Sequence, residues 1–285
     1  MKFFITGASG FIGKSLIDEI LLDKRNFVYA LSQKKARKKL ENNSSIKWIK
    51  GNLKSNLKKY LQKTDILVHL AAKFDNDFSN KIYETNLIDS LYLFEQARNQ
   101  GVKNFIAAGS GFENGSSNNK ITPLSLFRPV GDYQSSKAIF NIKICNWAKN
   151  YKLNMTYMKI FQVYGKGENK RRLYPQIVDC AKKNRRLKIN KNSKKIIRDF
   201  IKLEDVVKDI LYQVRINKGV NVSNCCSGKK MSVYEFSRYI WKKFSDKKPK
   251  IMSTLNTNIN PMSNFGLKKT INIDKIEYTI EKIKF

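Results

Sequence analysis

Three glycines near the start of the chain, Gly7, Gly10 and Gly13 in "TGASGFIGKS", constrain the fold more than any other feature. Two kinds of phosphate-binding loop compete for such a stretch. A triphosphate loop needs a glycine, four residues, then Gly-Lys-Ser or Gly-Lys-Thr. Counted back from Gly13-Lys14-Ser15, that position holds Ala8, and Gly7 comes one residue early. The dinucleotide pattern, with glycines spaced in threes, fits instead. Its surroundings fit too: "KFFIT" reads as a short apolar strand, and "FIGKSLIDEILL" carries apolar residues at helical spacing. In such a unit Gly7 permits the tight turn, Gly10 lets backbone approach a pyrophosphate, and Gly13 lets helix pack on strand. The helix start then offers amide donors and a partial positive charge to the phosphates.

A loop of this kind asks for a second signal about 20 residues on, an Asp or Glu that binds the ribose 2′-hydroxyl of NAD. Here "NFVYALS" ends in Ser32 and runs through Gln33 into Lys34, Lys35 and Arg37. No carboxylate stands there to repel a 2′-phosphate, and the cations can bind one. This points to NADP(H) ahead of NAD(H), with Ser32, Lys34 and Arg37 as candidate contacts. The alternative is that Lys34 to Lys39 open a solvated basic helix. The alternation continues: "SIKWIKGNL", "TDILVHLAA" and "VKNFIAAGS" read as strands, and "NLIDSLYLFEQARNQG" as an amphipathic helix closed by glycine. The order predicts an α/β fold, a Rossmann-type doubly wound parallel sheet with ligand at the strands' carboxyl ends. Residues 1–163 are expected to form the NAD(P)-binding domain, with a return segment near 196–216; residues 164–285 form mainly a smaller substrate-binding lobe.

A single histidine, His69, excludes a multi-histidine metal site and confines Ser-His-Asp chemistry to its surroundings. No metal is expected, and an acid of another type is needed. Ser110 follows the apolar strand "FIAAG", and the helical stretch "DYQSSKAIFNIKICNWA" puts Tyr133 and Lys137 four residues apart on one face. A free tyrosine has a pKa of about 10. An ammonium one turn away favours the phenolate, which makes Tyr133 a usable general acid or base. Ser110 can hydrogen-bond the same reacting oxygen. Tyrosine and lysine meet at this spacing by chance in many helices, so the reading rests on the glycine loop and Ser110 around them.

With these residues in place, the chain resembles the extended short-chain dehydrogenase/reductase superfamily, in its NAD(P)-dependent epimerase/dehydratase branch. The likeness runs nearly end to end through "TGASGFIG", "VHLAA", Asn86, Ser110, "YQSSK", "FQVYGKG" and "RDFIKLEDVV". It implies that Ser110, Tyr133 and Lys137 form the catalytic triad. It also implies that Gly7, Gly10, Phe11, Ile12 and Gly13 meet the pyrophosphate and that Asn52 stands near adenine. Leu53, Leu70, Ala71, Ala72, Asn86 and Ile160, with Tyr133 and Lys137, complete the implied cofactor set, and His69 becomes a structural neighbour. A nucleotide-diphospho-sugar is the implied substrate, held by Ser110, Gln162 and Arg198, the last facing its diphosphate. The alternative for Arg198 is a surface ion pair with Asp199 or Glu204.

Departures from the family narrow the reaction. Its 4,6-dehydratases carry Asp-Glu directly after the triad hydroxyl; here those places hold Gly111 and Phe112, with Glu113 one position late. Its epimerase-reductases use a cysteine and a second-lobe histidine that this chain lacks. Two reactions remain. One is reduction of a 4-keto sugar, with hydride from NADPH and a proton from Tyr133. The other is 4-epimerisation, in which bound NAD removes hydride and returns it to the other face. The missing carboxylate after the second strand favours reduction. The stretches "YGKGENKRRLYPQIVDCAKKN" and "RDFIKLEDVV" also resemble sugar-nucleotide 4-ketoreductases such as CDP-abequose synthase. A homodimer through the helix bearing Tyr133 is a further expectation from the resemblance.

The net charge of +33 keeps a different class open, a non-catalytic NADP-sensing or RNA-binding protein of the same fold. Against it, the cations are spread along the chain without a basic block, and a regulator need not keep the triad together. Specific nucleic-acid binding is therefore not expected. Four cysteines without a C-x-x-C pair, and a start that turns to glycine too soon for a secretion signal, suggest the cytoplasm. No apolar run approaches the ~20 residues of a membrane span, so no membrane insertion is expected.

Overall fold

The apolar stretches of the N-terminal half are short runs rich in β-branched and aromatic residues bounded by turn residues, and they form strands. The computed structural model describes residues 1–34, 40, 42–74, 80–254 and 262–274. Its first strands are β1 (Lys2–Thr6), β2 (Phe27–Ser32), β3 (Ile46–Lys50), β4 (Ile66–His69), β5 (Asn104–Ser110) and β6 (Asn154–Ile160). Between them lie α1 (Phe11–Ile20), α2 (Lys58–Leu61), α3 (Asn80–Tyr83), α4 (Asp89–Asn99) and α5 (Asp132–Asn150), with a π-helical turn over Glu84–Ile88. The second half supplies β7 (Gln162–Tyr164), α6 (Leu173–Lys182), β8 (Leu187–Asn190), β9 (Ile197–Arg198), β10 (Phe200–Lys202) and α7 (Leu203–Ile216). It closes with β11 (Val220–Cys225), β12 (Met231–Ser232), α8 (Val233–Phe244), β13 (Ile251–Thr254) and β14 (Thr270–Asn272).

The main sheet has the order β14-β11-β6-β5-β4-β1-β2-β3. Every neighbouring pair in it is parallel except β11 with β14. The chain winds one way from β1 to β3 and the other way from β4 outwards. The crevice of such a sheet therefore opens beyond the carboxyl ends of β1 and β4. Both faces are covered, as a parallel sheet requires. On one, α4 and α5 bury Leu93, Phe94, Phe140 and Ile144 against Phe105 and Tyr157. On the other, α1 and α7 bury Leu16, Ile17, Val206 and Ile210 against Ile5 and Met158. The fold is the Rossmann-type doubly wound α/β sheet that the alternation predicts.

The smaller lobe packs α6 and α8 around Ile177, Phe236, Ile240 and Trp241, beside the parallel pair β8–β13. The two halves are more interleaved than a division near residue 163 suggests. The segment 196–216 returns through α7, and β11 and β14 also join the main sheet. Residues 275–285, where the sequence suggests a closing helix, lie outside the described residues. No described helix is long and apolar enough to cross a membrane.

Candidate active site

After Thr6 the chain turns at Gly7, whose φ of +67° lies in the left-handed region that favours glycine. A Cβ there would also stand 2.8 Å from Ala71 N and Leu70 C at the mouth of β4. At Gly13 a Cβ would drive into the Gly7 carbonyl oxygen and lie 3.1 Å from Ala8 Cα. The glycine turn is thus closed against α1 on one side and β4 on the other. Gly10 is the N-cap of α1 and provides no side-chain cap. First-turn amides without a side-chain acceptor are what a phosphate oxygen binds. Phe11 and Ile12, both half-buried, open the helix. These residues fit a dinucleotide pyrophosphate.

The other expected contacts divide into two groups. Lys34 is exposed at the end of β2. Ser32 is turned inward: its hydroxyl donates to Ser9 Oγ (2.7 Å) and accepts from Lys34 N (2.9 Å), which ties β2 to the glycine turn. Arg37 lies outside the described residues. Asn52 is exposed, but its Oδ1 already accepts from Lys54 N (3.0 Å); the neighbouring Leu53 is buried. The Leu70 and Ala71 amides both donate to Thr6 Oγ1 at 3.2 Å, and Ala72 is exposed beside them. Ile160 is buried at the end of β6.

Asn86 sits in the π-helical turn and is fully buried. Its Oδ1 accepts from Lys73 N (2.7 Å), while Nδ2 donates to Lys73 O (2.9 Å) and Ser136 Oγ (3.2 Å). It clamps the loop after β4 to α5. His69 is bonded to Thr6 Oγ1 (2.9 Å) and Ser90 Oγ (3.0 Å). Burial, with the Lys137 charge, pushes its pKa well below the ordinary value, so the ring stays neutral and structural.

The sheet and α5 bring Ser110 and Tyr133 together. Ser110 ends β5, and its side chain acts on the Tyr133 hydroxyl, in the first turn of α5, in the direction that favours ionisation. Burial, and next the charge of Glu113, push Tyr133 up to about 12, against the Ser110 side chain and the positive charge of Arg172. Lys137 is buried and donates through Nζ to the Ala108 carbonyl (2.9 Å); burial pulls it down to about 8. Proximity in the helix suggests Lys137 as the cation acting on Tyr133. The Lys137 ammonium bonds the Ala108 carbonyl, and the positive charge of Arg172, at the N-cap of α6, also favours the ionised tyrosine. Arg172 in turn stands 3.5 Å from the Glu168 carboxylate, which burial raises to about 7. The cationic run "NKRRL" before an apolar helix was the signal for it.

Gln162 opens β7, half-buried, and its N–H donates to Asp199 O (3.1 Å). Arg198 is only 4% exposed. Its guanidinium stands 5.1 Å from the centre of the Phe112 ring, and burial lowers it to about 10. A surface ion pair with Asp199 is not what forms. The Asp199 carboxylate accepts from Ser227 N and Oγ (2.7 Å each) and Gly228 N (2.9 Å), holding the turn after β11. Phe112 N in turn donates to Ser110 Oγ (3.2 Å), so Phe112 stands between Arg198 and Ser110.

A family model described as NAD dependent epimerase/dehydratase family matches residues 3–224. The dTDP-D-glucose 4,6-dehydratase of Dictyostelium discoideum is 28% identical over 248 residues, 76% of this chain but 56% of that protein, so the chain spans just over half its length. The GDP-6-deoxy-D-talose 4-dehydrogenase of Aggregatibacter actinomycetemcomitans is 32% identical over 249 residues, 82% of this chain and 77% of that one. Among solved structures, UDP-glucuronic acid 4-epimerase of Bacillus cereus, in complex with UDP-glucuronic acid and NAD, is similar in fold. Its TM-score is 0.82 at 20% identity, covering 94% of this chain and 90% of that one.

Proposed function

The chain belongs to the NAD dependent epimerase/dehydratase family, and from that membership we propose that it reduces the 4-keto group of a nucleotide-diphospho-deoxysugar with NADPH. The observation that carries this reading is the direction of Glu113. It is the carboxylate nearest after Ser110, and it is fully buried, accepting from Ser110 N (2.6 Å), Asn141 Nδ2 (3.1 Å) and Tyr157 Oη (2.8 Å). Turned into the core, it is unavailable for the acid–base work of eliminating water. The likeness to a 4-dehydrogenase points to redox chemistry at the same sugar carbon.

A nicotinamide cofactor, when bound, would supply the hydride that the keto carbon gains. Ser110 and Tyr133 hold the keto oxygen, and Tyr133 gives it the proton. A hydroxyl pushed up to about 12 is protonated throughout the neutral range, the form that a donor needs. Arg172 and Lys137 supply positive charge for the tyrosinate left behind, which regains its proton from solvent. Arg198 takes the substrate diphosphate, and the first turn of α1 the cofactor's.

The test is calorimetric titration with NADPH and NADH in parallel, after an absorbance check for cofactor carried through purification. We expect NADPH to bind more tightly, and its absorbance to fall when a 4-keto sugar nucleotide is added. Lys34→Glu should weaken NADPH roughly 10- to 100-fold, since one hydrogen bond to a charged group contributes about 1.5–3 kcal/mol. Tightly retained NAD, with no consumption of NADPH, would overturn the reading in favour of 4-epimerisation.

The dimer belongs to the same proposal. Ile88 (61% exposed) and Tyr92 (51%) lie one helical turn apart, leading into and along α4, and Ile139 (38%) is on α5, which covers the same sheet face. Apolar side chains exposed on neighbouring helices suit a two-fold interface. Light scattering should give twice the chain mass, and Ile88→Asp with Tyr92→Asp should give a monomer. A monomeric wild type would remove the dimer from the proposal.

A further inference from the structure

Glu113 has so far counted only as a carboxylate absent from the cleft, but its contacts join the two elements that carry the reacting side chains. The Ser110 N–H on β5 donates to Oε1 at 2.6 Å, and the Ser110 hydroxyl accepts from Phe112 N (3.2 Å) in return. The Tyr157 hydroxyl on β6 lies 2.8 Å from the same Oε1 and 2.9 Å from the Lys137 carbonyl oxygen on α5. Asn141, one turn further along α5, donates to Oε2 at 3.1 Å. We infer that Glu113 is a positioning residue for the triad: one buried carboxylate accepts from the Ser110 amide on β5 and from Asn141 on α5, with the Tyr157 hydroxyl lodged between it and the Lys137 carbonyl, and so sets the spacing between β5 and α5. The inference rests on the reading of Ser110, Tyr133 and Lys137 as the reacting group.

Geometry and charge act together here. The Phe112 amide occupies one side of the Ser110 oxygen (3.2 Å). Half-ångström errors in such an arrangement are felt in rate, because catalysis depends on near-attack placement. The carboxylate's charge also favours the protonated forms of both Tyr133 and Lys137. Facing Glu113 are Tyr157 and the buried Lys159 on β6, and Tyr133, Lys137, Asn141 and Cys145 on α5. Burial raises the Glu113 carboxyl, and Lys159 opposes that rise most strongly. Lys159 has a second task. Its Nζ donates to Asn114 Oδ1 (3.1 Å) and Pro123 O (3.0 Å), pinning the loop that follows Glu113.

The experiment compares Glu113→Gln, Tyr157→Phe and Tyr133→Phe with the wild type. It reads thermal midpoint, NADPH binding, turnover of a 4-keto sugar nucleotide against pH, and tyrosinate absorbance. The absorbance difference between Glu113→Gln and the double variant Glu113→Gln/Tyr133→Phe isolates Tyr133. We expect Glu113→Gln to bind NADPH normally and to lose roughly 10- to 100-fold in kcat with KM little changed. With the negative charge gone, Tyr133 should ionise at lower pH and the alkaline limb of the rate profile should move down with it. Tyr157→Phe keeps the charge and cuts the link, so kcat should fall while the limb stays in place. If Glu113→Gln fails to fold, Tyr157→Phe carries the test, and wild-type kcat in it overturns the inference. A folded Glu113→Gln with wild-type kcat and Tyr133 titration, beside an inactive Tyr133→Phe, overturns this inference alone. An active Tyr133→Phe overturns the triad reading beneath it.

Discussion

Replacing Tyr133 by phenylalanine is expected to lower kcat about 10³-fold while NADPH binds as before. The ring stays, half-buried against Phe74 with their centres 4.9 Å apart, and only the hydroxyl is lost. General acid catalysis contributes roughly 10²- to 10⁴-fold, and Glu113, the acid bonded to the Ser110 amide, is turned into the core. Ser110→Ala should cost less, because it removes a hydrogen bond to the keto oxygen and leaves the proton donor. Stopped-flow turnover with cofactor and substrate both saturating checks this, with calorimetry for the binding. Retained turnover in Tyr133→Phe would mean that protons reach the sugar by another route.

Gly13→Ala is expected to weaken NADPH binding roughly 100-fold, about 2.7 kcal/mol. The added methyl meets backbone on both sides, the Gly7 carbonyl oxygen and Ala8 Cα, so no side chain can move aside to admit it. Relief comes only by shifting the start of α1 away from the glycine turn. That start is the part whose amides would face the phosphates, so affinity should fall through geometry with every polar group still present. Overpacking of this kind also costs about 1–3 kcal/mol of stability, read as a drop of several degrees in the thermal midpoint. Titration of the variant at a temperature well below its midpoint separates the two effects. Wild-type affinity would show that the pyrophosphate does not sit on this turn.

The elements that the sequence made legible are those decided locally. The strand "FVYALS" and the helix "DYQSSKAIFNIKICNWA" announce themselves by residue type and period, and the glycine spacing names its own turn. The approach of Ser110 to Tyr133 followed from where a doubly wound sheet presents its strand ends. What stayed hidden depends on the direction a side chain takes once folded. Ser32 reads as a ribose contact but spends its hydroxyl on Ser9, and Asn86 reads as a cofactor ligand but spends its amide on Lys73 and Ser136. Arg172 and Glu113 exert their charges on Tyr133 from α6 and from the end of β5, and no spacing along the chain forecasts that meeting. The antiparallel β14 at the sheet edge is equally non-local, since its register depends on Asn221, Val222 and Ser223 across the fold.

The place of β11 in the main sheet bears on how the protein is made. During synthesis, β6 is complete at Ile160, but its outer neighbour begins only at Val220. Through that interval the nascent sheet exposes an unpaired apolar edge, the kind of surface on which chains aggregate. A ribosome that stalls between these points releases a fragment carrying the glycine turn, Ser110, Tyr133 and Lys137 with a sticky border, so protein quality control rather than lost chemistry would determine its fate.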